Sequence, residues 1–193
     1  MAEADAVRQS GETITFEANV NTIGKPERTE APEYYFGYID QVGEGDIRAS
    51  LHTQFTETLM LLQSVSDDLS LHRYAADKWT IRQVVNHLND AERLFVFRAL
   101  WFARGFDSPL PSFEPDVAVS MTAADDRSWS SHVDEFRAVR AATLAFFDTL
   151  PAHAWARQGV ASGNTFTVRA LAYIAAGHVT HHARILRTRY LQR

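Results

Sequence analysis

Apolar residues recur along this chain at the three-to-four spacing of helices with one buried stripe. From Asp46 to about Val65 the stripe is Leu51, Phe55, Leu59 and Leu62, and Asp46 stands at the capping position. A second helix opens at "KWTIRQ", where Thr80 and Gln83 form a capping box, and runs to about Arg104 before Gly105. It is apolar nearly all round (Val84, Val85, Leu88, Leu94, Phe95, Phe97, Leu100, Trp101, Phe102), the pattern of a bundle's buried centre. A third helix is predicted from Ser130 or Ser131 to just before Pro151, with Val133, Phe136, Val139, Thr143, Phe146 and Phe147 facing inward. Thr167 caps a fourth, predicted to reach about Tyr190. Between them, "GFDSPLPSFEPD" reads as a loop and "RQGVASGNTFT" as a turn or short hairpin. Four long helices without a central strand predict an all-α four-helix bundle over residues 34–193. Residues 1–33 form an N-terminal arm. There Ile14, Phe16, Ala18 and Val20 alternate with polar residues, which predicts either one strand packed on the body or a second subunit, or a leader without structure.

One stripe is interrupted by polar rings. On a wheel centred on Leu171, His178 and His182 each fall about 20° away, among Ile174, Ala175 and Ile185, while His181 lies about 80° off on the flank. Residues four apart share a helix face. Among 8 histidines in 193 residues, about 0.3 such pairs arise by chance, so the inner-face position carries the argument more than the spacing. A buried polar group without a partner costs about 1–3 kcal/mol. Two readings answer that cost: a divalent metal, or hydrogen bonds from core histidines to backbone, Asp or Glu. His87, on the second helix beside Val84, Ala91 and Leu94, is the candidate third ligand. Three imidazoles leave a coordination position open, as catalytic sites do. Asp90, three residues on, is the candidate for orienting His87 or moving a proton. Glu92 reads as half of a salt bridge with Arg93 or an arginine of another helix. His52, His72, His132 and His153 read as surface residues.

Composition narrows the chemistry. Cysteine is absent, so disulfides, thiolate ligands and a cysteine nucleophile are excluded together. That agrees with a cytoplasmic protein, as does an N-terminus lacking the basic and apolar regions of a signal peptide. A net charge of -5 argues against a nucleic-acid surface, and no segment has the roughly 20 apolar residues of a membrane span. The chain lacks a phosphate loop, a G-x-S-x-G elbow and H-E-x-x-H. The Glu-x-x-His pairs of di-iron bundles are missing too. The four tryptophans read as packing. The Arg98–Arg104 region with Arg184, Arg187 and Arg189 reads as a solvated basic face or a seat for an anionic substrate.

"KWTIRQVVNHLNDAERLFVFRALWFARG", "SPLPSFEPD", "FRAVRAATLAFFDTLP" and "TVRALAYIAAGHVTHHARILRTRY", in this order, resemble the DinB-like superfamily over roughly residues 34–191. The branch resembled includes bacillithiol- and mycothiol-dependent S-transferases and YfiT-like metal-dependent hydrolases. The resemblance implies an up-down-down-up bundle, often dimeric, with one divalent ion on residues matching His87, His178 and His182. It implies nickel or zinc, or iron or manganese, as that ion. It also implies a small-molecule substrate, such as a low-molecular-weight thiol or a hydrolysable compound, and a homodimer. Some transferase-like members carry a second histidine soon after the first; here "NHLNDAERLF" has Asp90 and Glu92 instead. Two rivals remain: a non-catalytic metal-binding stress-response module, and a metal-free dimeric bundle.

Overall fold

The computed structural model describes residues 22–192. The four long helices are α2 (Ile47–Gln63), α4 (Ile81–Ala103), α6 (Trp129–Asp148) and α7 (Val168–Ile185). Shorter helices are α1 (Glu33–Ile39), α3 (Asp67–Ser70) and α5 (Pro115–Ser120), and a hairpin of β1 (Gln158–Ala161) and β2 (Asn164–Thr167) leads into α7. The alternating stretch Ile14–Val20 lies outside the described residues. The end of the arm, from 22, is held on the bundle: Ile23 joins the core, and Glu30 accepts a hydrogen bond from Thr167 and pairs with Arg169.

Pairings across the bundle give the helix directions. His87, early in α4, meets His178, late in α7, so these two run antiparallel. Arg82 donates to the Arg127 carbonyl just before α6, and Glu92 pairs with Arg140, so α4 and α6 run parallel. His52 pairs with Asp148 while Trp129 Nε1 donates to the Leu62 carbonyl, so α2 and α6 are antiparallel. The order is up, down, down, up. Connections at each end are shorter than the α4–α6 crossover, which uses residues 104–128 to return to the end where α4 began.

Helix boundaries follow their caps. Asp46, Thr80 and Thr167 accept from the first-turn amides of α2, α4 and α7, and the Thr80–Gln83 capping box is complete. The third long helix starts at Trp129, a residue or two before the predicted Ser130 or Ser131, because Ser128 caps it through Ser131 N. The hairpin turns on Ser162 and Gly163, both at positive φ (51° and 73°), as a two-residue type I′ loop requires. After Ile185 the last helix continues to Tyr190 as one wider π turn.

Two apolar clusters fill the bundle. One joins α1, the second half of α4 and the first half of α7 around Phe102, Phe147, Leu171 and Tyr173. The other joins Leu62, Ile81, Val85, Phe136 and Leu186 at the opposite end. His87, His178 and His182 fall between the two along α4 and α7. Between them too, Arg140 of α6 meets Glu92 at 2.7 Å and Gln54 at 2.9 Å. The bundle therefore has a polar waist.

Candidate metal centre

Antiparallel packing of α4 on α7 brings the three histidines together. His87 and His178 Nε2 are 3.0 Å apart. One ring nitrogen from each of His87, His178 and His182 lies within 4.8 Å of the others. Nitrogens about 2.0–2.1 Å from a zinc-sized ion stand roughly 3.0–3.5 Å apart, so the donor set fits such an ion with small ring rotations. His87 and His178 are buried, at 6% and 5% exposure. His87 Nδ1 and His182 Nδ1 are buried without a hydrogen-bond partner.

Burial holds all three imidazoles neutral. It pushes His87 down to about 4 against the field of Asp116. It pushes His182 down to about 3, helped by the neighbouring rings of His87 and His181. His178 is driven well below the ordinary histidine range by burial and then by His182 and His87. Neutral imidazole is the form that binds metal. No Asp, Glu or further His among the described residues joins the three within the same radius.

α1 walls the site. Gly177 makes this possible: a Cβ there would stand 2.2 Å from the Tyr38 carbonyl, so only glycine lets α1 lie this close on α7. Tyr38 then packs edge-on against His178 and His181, at 5.4 and 5.3 Å between ring centres. A cavity of about 120 Å³ opens from His87 and His178 toward Tyr34, Tyr35, Phe113 and Arg98. A separate cleft reaches His182 past Trp79, Asp116 and Tyr190.

The orienting contact expected of Asp90 is not made. Three residues on from His87 is about 60° round the helix, and there Asp90 accepts from Asn86 at 2.9 Å and faces Arg93 at 3.5 Å. The carboxylate whose field reaches His87 is Asp116, within the stretch expected to be a loop; it sits in the first turn of α5. Nothing in its local sequence marks it, because α5 reaches the histidines only through the α4–α6 crossover. Glu92 pairs with Arg140 of another helix, one of its two expected partners. His132, expected at the surface, is fully buried: its Nε2 meets the Ala124 carbonyl at 2.8 Å on the inner face of α6. His52 and His153 are exposed, and His72 half-buried. Trp129 and Trp155 are buried packing residues.

No curated protein sequence matches the chain. Among solved structures it is similar to YfiT from Bacillus subtilis, described as a probable metal-dependent hydrolase with an unusual four-helix bundle topology. The two share 17% identity and a TM-score of 0.59, over 84% of this chain and 91% of that one, a likeness of fold. The family model of the DinB superfamily matches residues 50–186, taking in most of α2 and all of α4, α6 and α7 with the three histidines. By that match, which spans well over half of its residues, the chain belongs to the DinB superfamily.

Proposed function

We propose that this protein is a metal-dependent enzyme that holds one divalent ion on His87, His178 and His182 and acts on a small molecule by hydrolysis or by transfer of a thiol. The observation that carries this reading is the convergence of three neutral imidazoles, two buried and one half-buried, beside an open cavity, with no Asp, Glu or further His among the described residues as a fourth donor. A structural site would be closed by its own ligands. Imidazole nitrogens suit both nickel and zinc. A divalent ion bound there supplies Lewis acidity and lowers the proton affinity of a coordinating water or thiol.

The chain's own groups do the rest. The Tyr34–Tyr38 face of α1 and Phe113 shield the cavity and seat the apolar part of a substrate. Asp116, exposed at the mouth of the His182 cleft, is placed to accept a proton released beside the histidines. Asp90 is directed into the Arg93–Glu135 ion pairs instead, which leaves it a weaker candidate for that role.

The test uses protein loaded with zinc or nickel and two generic reactions: hydrolysis of p-nitrophenyl acetate, and transfer of N-acetylcysteine to 1-chloro-2,4-dinitrobenzene. Metal-dependent turnover in either, lost in His178→Ala and reduced in Asp116→Asn more than in Asp90→Asn, supports the reading. Equal rates in wild type and His178→Ala would overturn it.

A further inference from the structure

The cavity over the histidines has a second polar end. Arg98 follows His87 by eleven residues, which on α4 is about 20° of rotation and about 16 Å of axial rise. His87, Ala91, Leu94 and Arg98 thus form one stripe along the cavity floor. The Arg98 side chain is only 2% exposed. Its Nη2 donates to the Pro111 carbonyl and to Ser162 Oγ, both at 2.9 Å. Its Nε has no acceptor. Burial works against its charge, and the group that supports it is the Tyr35 hydroxyl rather than a carboxylate.

A buried guanidinium without a counter-ion is costly. The same bundle shows what it does with a structural one: Arg140, fully buried, has Glu92 at 2.7 Å. Arg98 has no Asp or Glu in ion-pair range among the described residues, and it faces a cavity instead of packed side chains. Ser162, which presents its hydroxyl to Arg98, does so from the left-handed backbone region that non-glycine residues rarely enter.

We propose that Arg98, with the Ser162 and Tyr35 hydroxyls, anchors an anionic oxygen group, a carboxylate or a phosphate, of an elongated small molecule. This rests on the reading above that the molecule's reacting end lies at the three imidazoles. A guanidinium favours such groups through charge-assisted hydrogen bonds, and Nε is the donor of Arg98 left without an acceptor. The substrate class is then narrowed to small acids long enough to reach from Arg98 to His87. Neutral compounds would leave the Arg98 charge unanswered, and cations would oppose it.

The experiment is calorimetric titration of the full chain as purified with succinate and, separately, inorganic phosphate. Wild type should bind at least one, and which one distinguishes a carboxylate from a phosphate anchor. Arg98→Met should weaken that binding about tenfold or more, whereas His178→Ala should change it less than about threefold. Should Arg98→Met not fold, Arg98→Lys takes its place, keeping the charge and losing the fork. No binding of either probe by wild type overturns the proposal. So does equal affinity in the Arg98 variant, or an equal loss in His178→Ala, which would put the probe at the histidines. Zinc binding, measured on the same wild-type sample, separates the two readings: its absence beside Arg98-dependent anion binding would remove the metal and leave the anchor.

Discussion

The waist of the bundle has two polar halves, and the chain treats them differently. On the side of α2 and α6, Arg140 meets Glu92, Gln54 reaches Arg140, and Gln54 Nε2 donates to the Ala176 carbonyl and Thr180 at 2.7 Å. One atom of each charged partner, Glu92 Oε1 and Arg140 Nε, stays without a hydrogen bond, but the charges cancel. On the side of α1, three imidazoles face one another with two ring nitrogens unanswered, and Arg98 has no carboxylate partner among the described residues. Both halves are made of buried or half-buried polar side chains, and both draw on α4 and α7. The first is closed by the protein. The second leaves ring nitrogens and a guanidinium Nε without partners beside a cavity. Burial of polar groups does not by itself mark a site; burial without compensation inside an open cavity does.

That contrast can be broken most forcefully on its closed side. Glu92→Ala leaves Arg140 buried and unpaired, which should cost about 3–5 kcal/mol. Thermal unfolding should then drop by on the order of 10 °C, with metal content unchanged. A small drop would mean that the Glu92–Arg140 pair holds little of the waist together. Gly177→Ala tests the wall of the open side. Its methyl group meets the Tyr38 carbonyl, so α1 must lift off α7, at a cost of about 1–3 kcal/mol. A melting curve that matches wild type would show that α1 does not need this close approach.

A smaller effect lies at the edge of the fold. Asp46 accepts from Ile23 N at 3.2 Å and from Arg48 N at 2.8 Å, besides pairing with the Arg48 side chain. The Arg48 side chain, foremost, holds the Asp46 carboxyl down at about 2. Its pKa is lower in the folded state than in the unfolded chain, so its contribution is fully present above pH about 4. It is lost as pH falls from there through 2. Denaturant unfolding at pH 6 and pH 2.5 should show Asp46→Asn less stable at the higher pH by about 1–2 kcal/mol, with most of that gap closed at the lower. A gap independent of pH would assign the effect to packing.

Much of this was legible in the residues because it is local. Capping side chains, apolar periodicity and the His178–His182 spacing all act within a turn or two of helix, and they located the four long helices and two of the clustered rings. His87 was a candidate from its place on a second long helix; that it meets the pair depends on α4 packing antiparallel on α7, which the periodicity of neither helix states and the family resemblance implies. What was not legible depends on contacts far along the chain. Asp116 lies 29 positions after His87, Ser162 lies 64 after Arg98, and α1 reaches the site only because Gly177 admits its backbone. Asp90 looked apt by spacing, but the 60° turn of the helix carries it to Arg93. His132 stands four residues before Phe136, a spacing that already places it on the inner face of α6, but its partner, the Ala124 carbonyl, belongs to a turn with no strong signal.

The measurement that bears most directly on the central claim is metal stoichiometry in tag-free protein, wild type beside a His178→Ala, His182→Ala double variant, with melting curves before and after added zinc or nickel. The account predicts about one equivalent in wild type, none in the variant, and a melting temperature that rises with added metal only in wild type, since a ligand stabilises the state that binds it. No metal in either protein, and melting curves that added metal leaves unmoved, would contradict it and leave His87, His178 and His182 as core histidines of a helical bundle.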